Sequence, residues 1–188
     1  MPKLHTLREV LKYIAYMNLA PMLRRYLILG AFDGIVLAMS VIIPLYTIGA
    51  RPETVLLTAL GGLVGIAISS AANSLIVESE ERKIELKNLE RQLMKRLDGT
   101  IYDYGAKVAI VLSATVHGLS PMLGLIPVLT YVLIGGRIGI LLAIVSLTST
   151  FVALGFVYEG RLEDKLRTSV VMVLAGLISA GLVYGVTR

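Results

Sequence analysis

Five uninterrupted apolar stretches, each long enough to cross about 30 Å of hydrocarbon, decide what this chain can be. They run approximately over residues 26–48, 54–77, 108–134, 138–158 and 168–187. The runs are continuous and show no period-two alternation, which argues against a β-barrel and for helices, in which each backbone satisfies its own polar groups. Composition agrees: 56% of residues are hydrophobic and 16% charged, with a mean hydropathy of +0.79, whereas soluble domains carry about 25% charged residues. The sequence therefore predicts an all-α, polytopic integral membrane protein with five transmembrane helices. No secretory signal is expected within residues 1–25, where charged and apolar residues are mixed throughout. Cysteine is absent, so there is no disulfide framework, thiolate metal site or thiol nucleophile.

Lysine and arginine predict the orientation. With the N-terminus in the cytoplasm, Lys3, Arg8, Lys12, Arg24 and Arg25 lie inside. Arg82, Lys83, Lys87, Arg91, Lys95, Arg96 and Lys107 follow between the second and third spans, and Arg161, Lys165 and Arg167 between the fourth and fifth. Only Arg51, Arg137 and Arg188, of 18 such residues, fall outside. The positive-inside rule then gives an N-in, C-out topology. The net charge of +5 matters less than this distribution, and membrane lipid, not nucleic acid, is the expected surroundings.

Residues 1–20 are expected to form one unit, an amphipathic interfacial helix with Leu4, Leu7, Leu11, Ile14 and Met17 on one face, a partner-binding helix being the alternative. Residues 21–188 form the transmembrane domain, with a cytoplasmic helical segment over 78–103 that continues the second span. Leu86, Leu89 and Leu93 give that segment a narrow apolar stripe, and Asp98-Gly99 is its expected terminator. The outer connections, GARPE and GGR, are too short to form a domain.

Within GAFDGIVLAMS, residues 30–40, stands Asp33, the one charged residue between Leu27 and Ala50. It lies eight residues past Arg25, hence about 12 Å into the bilayer. A carboxylate there costs about 2.5–3.5 kcal/mol on insertion scales, and intramembrane acids usually serve a path for ions or protons. Gly30 and Gly34 form a G-x-x-x-G pair that permits close helix packing, and Gly61 and Gly65 repeat it. Because one carboxylate cannot neutralise a divalent cation, a homodimer with paired Asp33 side chains is expected. Ser70 and Asn73 in the second span, His117 in the third and the soft sulfur of Met39 are the further candidates for this cation path; Met122 offers a second thioether. Glu78, Glu81 and Glu85 share one helical face at the mouth of the second span. They offer carboxylate oxygens for a cytoplasmic metal site, or else a solvated face paired with Arg82, Lys83 and Lys87.

Three stretches together resemble the vacuolar iron transporter family of Fe²⁺/Mn²⁺ transporters. They are RRYLILGAFDGIVLAMSVI with its G-x-x-D-G core, HGLSPMLGLIPVL with its two prolines, and ALGFVYEGRLEDKLRTSVVMVLAGLISAGLVYGVT, similar to the family's last two spans. The resemblance is to a short, prokaryotic-type member and implies an integral protein of a prokaryotic cell membrane. It also implies a homodimer, Asp33 on the cation path, and proton-coupled export of Fe²⁺ or Mn²⁺ with no resident cofactor. Two features depart from the family pattern. Ser69-Ser70 stands where the family carries Ser-Met with the methionine as ligand, and the family's metal-binding hairpin is shortened to about 25 residues. A membrane scaffold without transport is the alternative. An enzyme is the weaker one: a second acid for metal or protease chemistry is missing from the spans, and Ser113 with His117 has no nucleophile elbow.

Overall fold

The computed structural model describes residues 19–187, so the helix expected over residues 1–20 lies almost wholly outside the described residues, as does Arg188. Among the described residues the chain is helical, without strands. The helices are α1 (Ala20–Thr47), α2 (Pro52–Leu93), α3 (Ile101–Leu119), α4 (Leu125–Ile134), α5 (Gly136–Val157) and α6 (Leu162–Val186). A 3-10 turn, Ser120–Gly124, links α3 to α4. Five units are long and apolar enough to cross a membrane: α1, α2, the α3–α4 unit, α5 and α6.

Helix boundaries follow local chemistry. Pro21 and Pro52 open α1 and α2, where a missing N–H costs nothing. The α4–α5 connection is so short that Gly135 and Gly136 both take positive φ, +69° and +57°, a turn a side chain would strain. At the start of α6 the Asp164 carboxylate accepts the Arg161 N–H at 3.2 Å.

Two predicted elements are corrected. The segment expected to be helical over 78–103 is helical only to Leu93. Met94 adopts a left-handed conformation, with φ +50°, and the Lys95 N–H returns to the Glu90 carbonyl at 3.2 Å. Glu90 then accepts the Leu97 N–H through its side chain at 2.7 Å, and Leu97 is buried. The chain turns there, and α3 begins at Ile101, seven residues before the expected span. That third span is broken, because Pro121 supplies no N–H to an α-helical ladder.

Helix α1 is central and touches each of the other helices. One face carries Ile28, Ala31, Ile35 and Met39 into a core with Leu147, Phe151 and Leu154 of α5. Farther along, Ala38 and Ile42 join Val55, Ala59, Val128, Tyr131 and Ala143. Arg24 forms an ion pair with Glu159 in the α5–α6 connection, and this guanidinium holds the Glu159 carboxyl below the usual range.

The third span meets α1 backbone to backbone. A Cβ on Gly34 would lie 2.0 Å from the Pro121 carbonyl oxygen and 2.6 Å from its Cα, and one on Gly124 would lie 2.2 Å from the Gly34 oxygen. Gly30 faces the Ser120 hydroxyl and the His117 carbonyl oxygen, with 2.8 Å to the latter. The first G-x-x-x-G pair is thus occupied by the third span of the same chain. Gly61 and Gly65 meet nothing within 4 Å. Gly34→Ala should therefore destabilise the fold by about 1–3 kcal/mol, seen as a lower thermal midpoint by circular dichroism in detergent. Gly65→Ala should leave the midpoint unchanged or raised, and equal midpoints would refute the contact.

Candidate functional site

A groove of about 450 Å³ runs between α1 and α2 and is open to the molecular surface. Helix α1 supplies Asp33, Val36, Leu37 and Ser40; α2 supplies Ile66, Ser69, Ser70 and Asn73; α3 supplies His117. Four of the five residues predicted for a cation path, Asp33, Ser70, Asn73 and His117, therefore converge from three helices. Ser40 and Ser69 complete the polar lining, and Ser40 was not singled out in the sequence. Its spacing of seven residues from Asp33 puts it on the same side of α1, two turns away.

Asp33 is exposed to this groove. No Lys or Arg pairs with it among the described residues. The titratable side chain that shares the groove with it is His117. His117 Nδ1 is buried without a hydrogen-bond partner. On its other side the His117 ring stacks obliquely on Tyr26, with centroids 5.0 Å apart and planes at 42°. The Ser40 hydroxyl donates to the Val36 carbonyl at 2.9 Å, leaving its oxygen lone pairs available as acceptors.

Met39 is not in the groove. It is 4% exposed, in the apolar core with α5, and lines a small apolar void with Ile42, Pro127 and Leu147. Its sulfur is filler, as a flexible thioether commonly is. The glutamate triad also separates. Glu78 is buried, at 1% exposure, and accepts the Tyr26 hydroxyl at 2.9 Å. Glu85 takes Arg82 at 2.6 Å, and Glu81 is exposed. Among the described residues no group of three or more His, Asp or Glu is placed to hold a metal ion. The expected cytoplasmic site at Glu78, Glu81 and Glu85 is therefore not assembled, because Arg82 and Tyr26 engage the carboxylates that would form it. Ser113, the other half of the possible dyad, is buried and donates to the Ile110 carbonyl at 2.8 Å.

No family model matches the chain, and no curated protein or solved structure matches it either.

The two settings of Met39 and Asp33 make different forecasts. Met39→Ala should cost about 2–5 kcal/mol of stability through the cavity it leaves, whereas Met39→Leu should cost less than about 1.5 kcal/mol. Thermal unfolding of both proteins in detergent checks this. A methionine that bound cargo would instead be lost equally with either substitution, in transport and not in stability.

Proposed function

We propose that this chain is a transporter of divalent transition-metal cations, with Asp33 on the cation path. The observation that carries the reading is the convergence of Asp33, Asn73, Ser70 and His117 on one groove between apolar helices. An acid, an amide, hydroxyls and an imidazole form a donor set suited to a first-row divalent ion such as Mn²⁺ or Fe²⁺. Among the described residues no Lys or Arg pairs with this acid, and the close packing of α1 is carried by Gly30 and Gly34.

One chain offers a single carboxylate to a doubly charged ion. A second copy facing the open side of the groove would supply another Asp33 and would close the groove against lipid, so the functional unit we propose is a homodimer. The contact would lie along the groove face and not at Gly30 and Gly34. Fe²⁺ and Mn²⁺ are favoured by the likeness of G-x-x-D-G, HGLSPMLGLIP and the last two spans to the iron transporter family, and the lysine and arginine asymmetry supports N-in insertion. Proton coupling follows from chemistry: Asp33 and His117 both exchange protons with water, so a metal and protons compete for the same atoms. Binding the metal on one side and protons on the other then drives exchange by alternating occupancy.

The test is uptake of Mn²⁺ by liposomes containing the purified protein, with an opposing proton gradient. Asp33→Asn should reduce the initial rate by about ten- to hundredfold, the equivalent of one charged hydrogen bond or ligand of about 1.5–3 kcal/mol. Its elution volume in detergent should stay that of the parent protein. Uptake that persists unchanged in Asp33→Asn would overturn the reading and leave Asp33 as a packing element.

A further inference from the structure

Tyr26 and Glu78 do not line the groove; they lie farther along α1 and α2 from Asp33 and Asn73, toward the end marked by Arg24, Arg25 and Arg82. Two turns of α1 separate Asp33 from Tyr26, about 10 Å along the axis, and Tyr26 lies beneath the His117 ring. Its hydroxyl crosses to α2 and donates to the buried Glu78 at 2.9 Å. Beside it Arg82 reaches the Met22 sulfur at 3.2 Å. These two bonds are the side-chain hydrogen bonds that join α1 to α2 among the described residues, and both lie at this end. Along the groove itself no side-chain hydrogen bond joins the two helices among the described residues.

We propose that Tyr26, Glu78 and Arg82 form a gate that closes the groove at its basic end. The Glu78 site has the unfinished bonding of a movable part. A buried ion pair that serves only stability has its hydrogen bonds satisfied. Here Glu78 Oε2 and Arg82 Nε face each other at 3.3 Å, and both are buried without a hydrogen bond. Arg82 gives its 2.6 Å bond to the exposed Glu85 instead. Arg25 stands 3.6 Å from Glu78 Oε1, and its guanidinium lies 5.2 Å from the centre of the Tyr26 ring. The groups facing Glu78 are therefore Tyr26, Arg25 and Arg82, and each arginine has a second place to rest. Turning the Tyr26 hydroxyl away from Glu78 breaks one cross-helix bond, opens the way from Asn73 and His117 toward the basic surface, and uncovers a carboxylate as the next acceptor for a passing cation.

The gate rests on the transport reading, but its test needs neither cargo nor flux. The chain holds no cysteine, so Ser69→Cys places a single near-isosteric thiol in the groove. In liposomes of defined protein orientation, a membrane-impermeant cationic thiol reagent applied from the basic side should label Ser69→Cys slowly. Adding Tyr26→Phe, which keeps the ring against His117 and removes only the hydroxyl, should raise that rate at least about tenfold. Glu78→Gln should do the same, and if that variant misfolds Tyr26→Phe decides alone. Labelling from the opposite side should not change. An unchanged rate in Tyr26→Phe would overturn the gate, as would labelling of Ser69→Cys alone as fast as of the exposed position in Glu81→Cys. Either result leaves the uptake measurement on Asp33→Asn standing, and lost uptake dependence leaves the labelling result standing.

Discussion

The third span lies directly on the backbone of α1, and the polar interior is arranged around that contact. Gly30 and Gly34 remove the side chains that would hold the two helices apart, and Gly124 does the same from the other side. In a lipid environment, where apolar burial between helices gives little net drive, such close approach supplies dispersion and short backbone contacts instead. Its consequence is positional. Gly30 admits the His117 backbone to within 2.8 Å of where a Cβ would stand, and Gly118 admits Ala71 of α2 to 2.9 Å. His117 is therefore fixed between α1 and α2 by a glycine contact on each side, at the level of Asp33.

Breaking the third span is part of the same arrangement. A continuous helix through Pro121 would leave a backbone carbonyl without its N–H partner, a costly state away from water. The 3-10 turn Ser120–Gly124 shifts that segment against α1, and the Ser120 hydroxyl bonds the His117 carbonyl at 3.0 Å and reaches the Tyr26 carbonyl at 3.3 Å. The break thus ties three helices together where the groove begins. By contrast Ser74, Thr115, Thr130 and Thr148 bond carbonyls of their own helices. Most hydroxyls in the spans are quiet, which makes the gathering at the groove more telling than a count of polar residues.

Much of this was legible in the sequence. Five apolar runs gave five span-length units, and Asp33, Ser70, Asn73 and His117 were recognisable because polar side chains are rare in such runs. What periodicity does not carry is the partner of each face. The G-x-x-x-G pair was readable as a close contact, but whether a second copy or Pro121 of the same chain fills it depends on the path of the third span. Met39 differs from Asp33 by six residues, so it lies about 120° around α1 from it, where α5 packs. The turn at Met94 was hidden because a non-glycine residue takes the left-handed position, and its support comes from Glu90 reaching forward to Leu97. Glu78, Glu81 and Glu85 share a face, yet burial at Tyr26 separates the first from the others.

The two acids of α1 and α2, Glu78 buried and Asp33 exposed to the groove, show what burial asks of a carboxylate and what exposure permits. Glu78 is enclosed, and it is compensated by a tyrosine hydroxyl and two guanidinium groups within 3.6 Å. Asp33 has no such company among the described residues and stands at the edge of an open groove. An ion-paired acid resists binding a cation, because the guest must displace positive charge already present. An unpaired acid does not, and its desolvation penalty falls when a cation arrives. In the transport we propose, Asp33 is therefore the acceptor for a passing ion, whereas Glu78 would accept one only after its arginines move aside. Two acids at different depths with opposite compensation form a gradient of readiness along α1 and α2, and in the transport we propose that gradient gives the path a resting direction and a closed end.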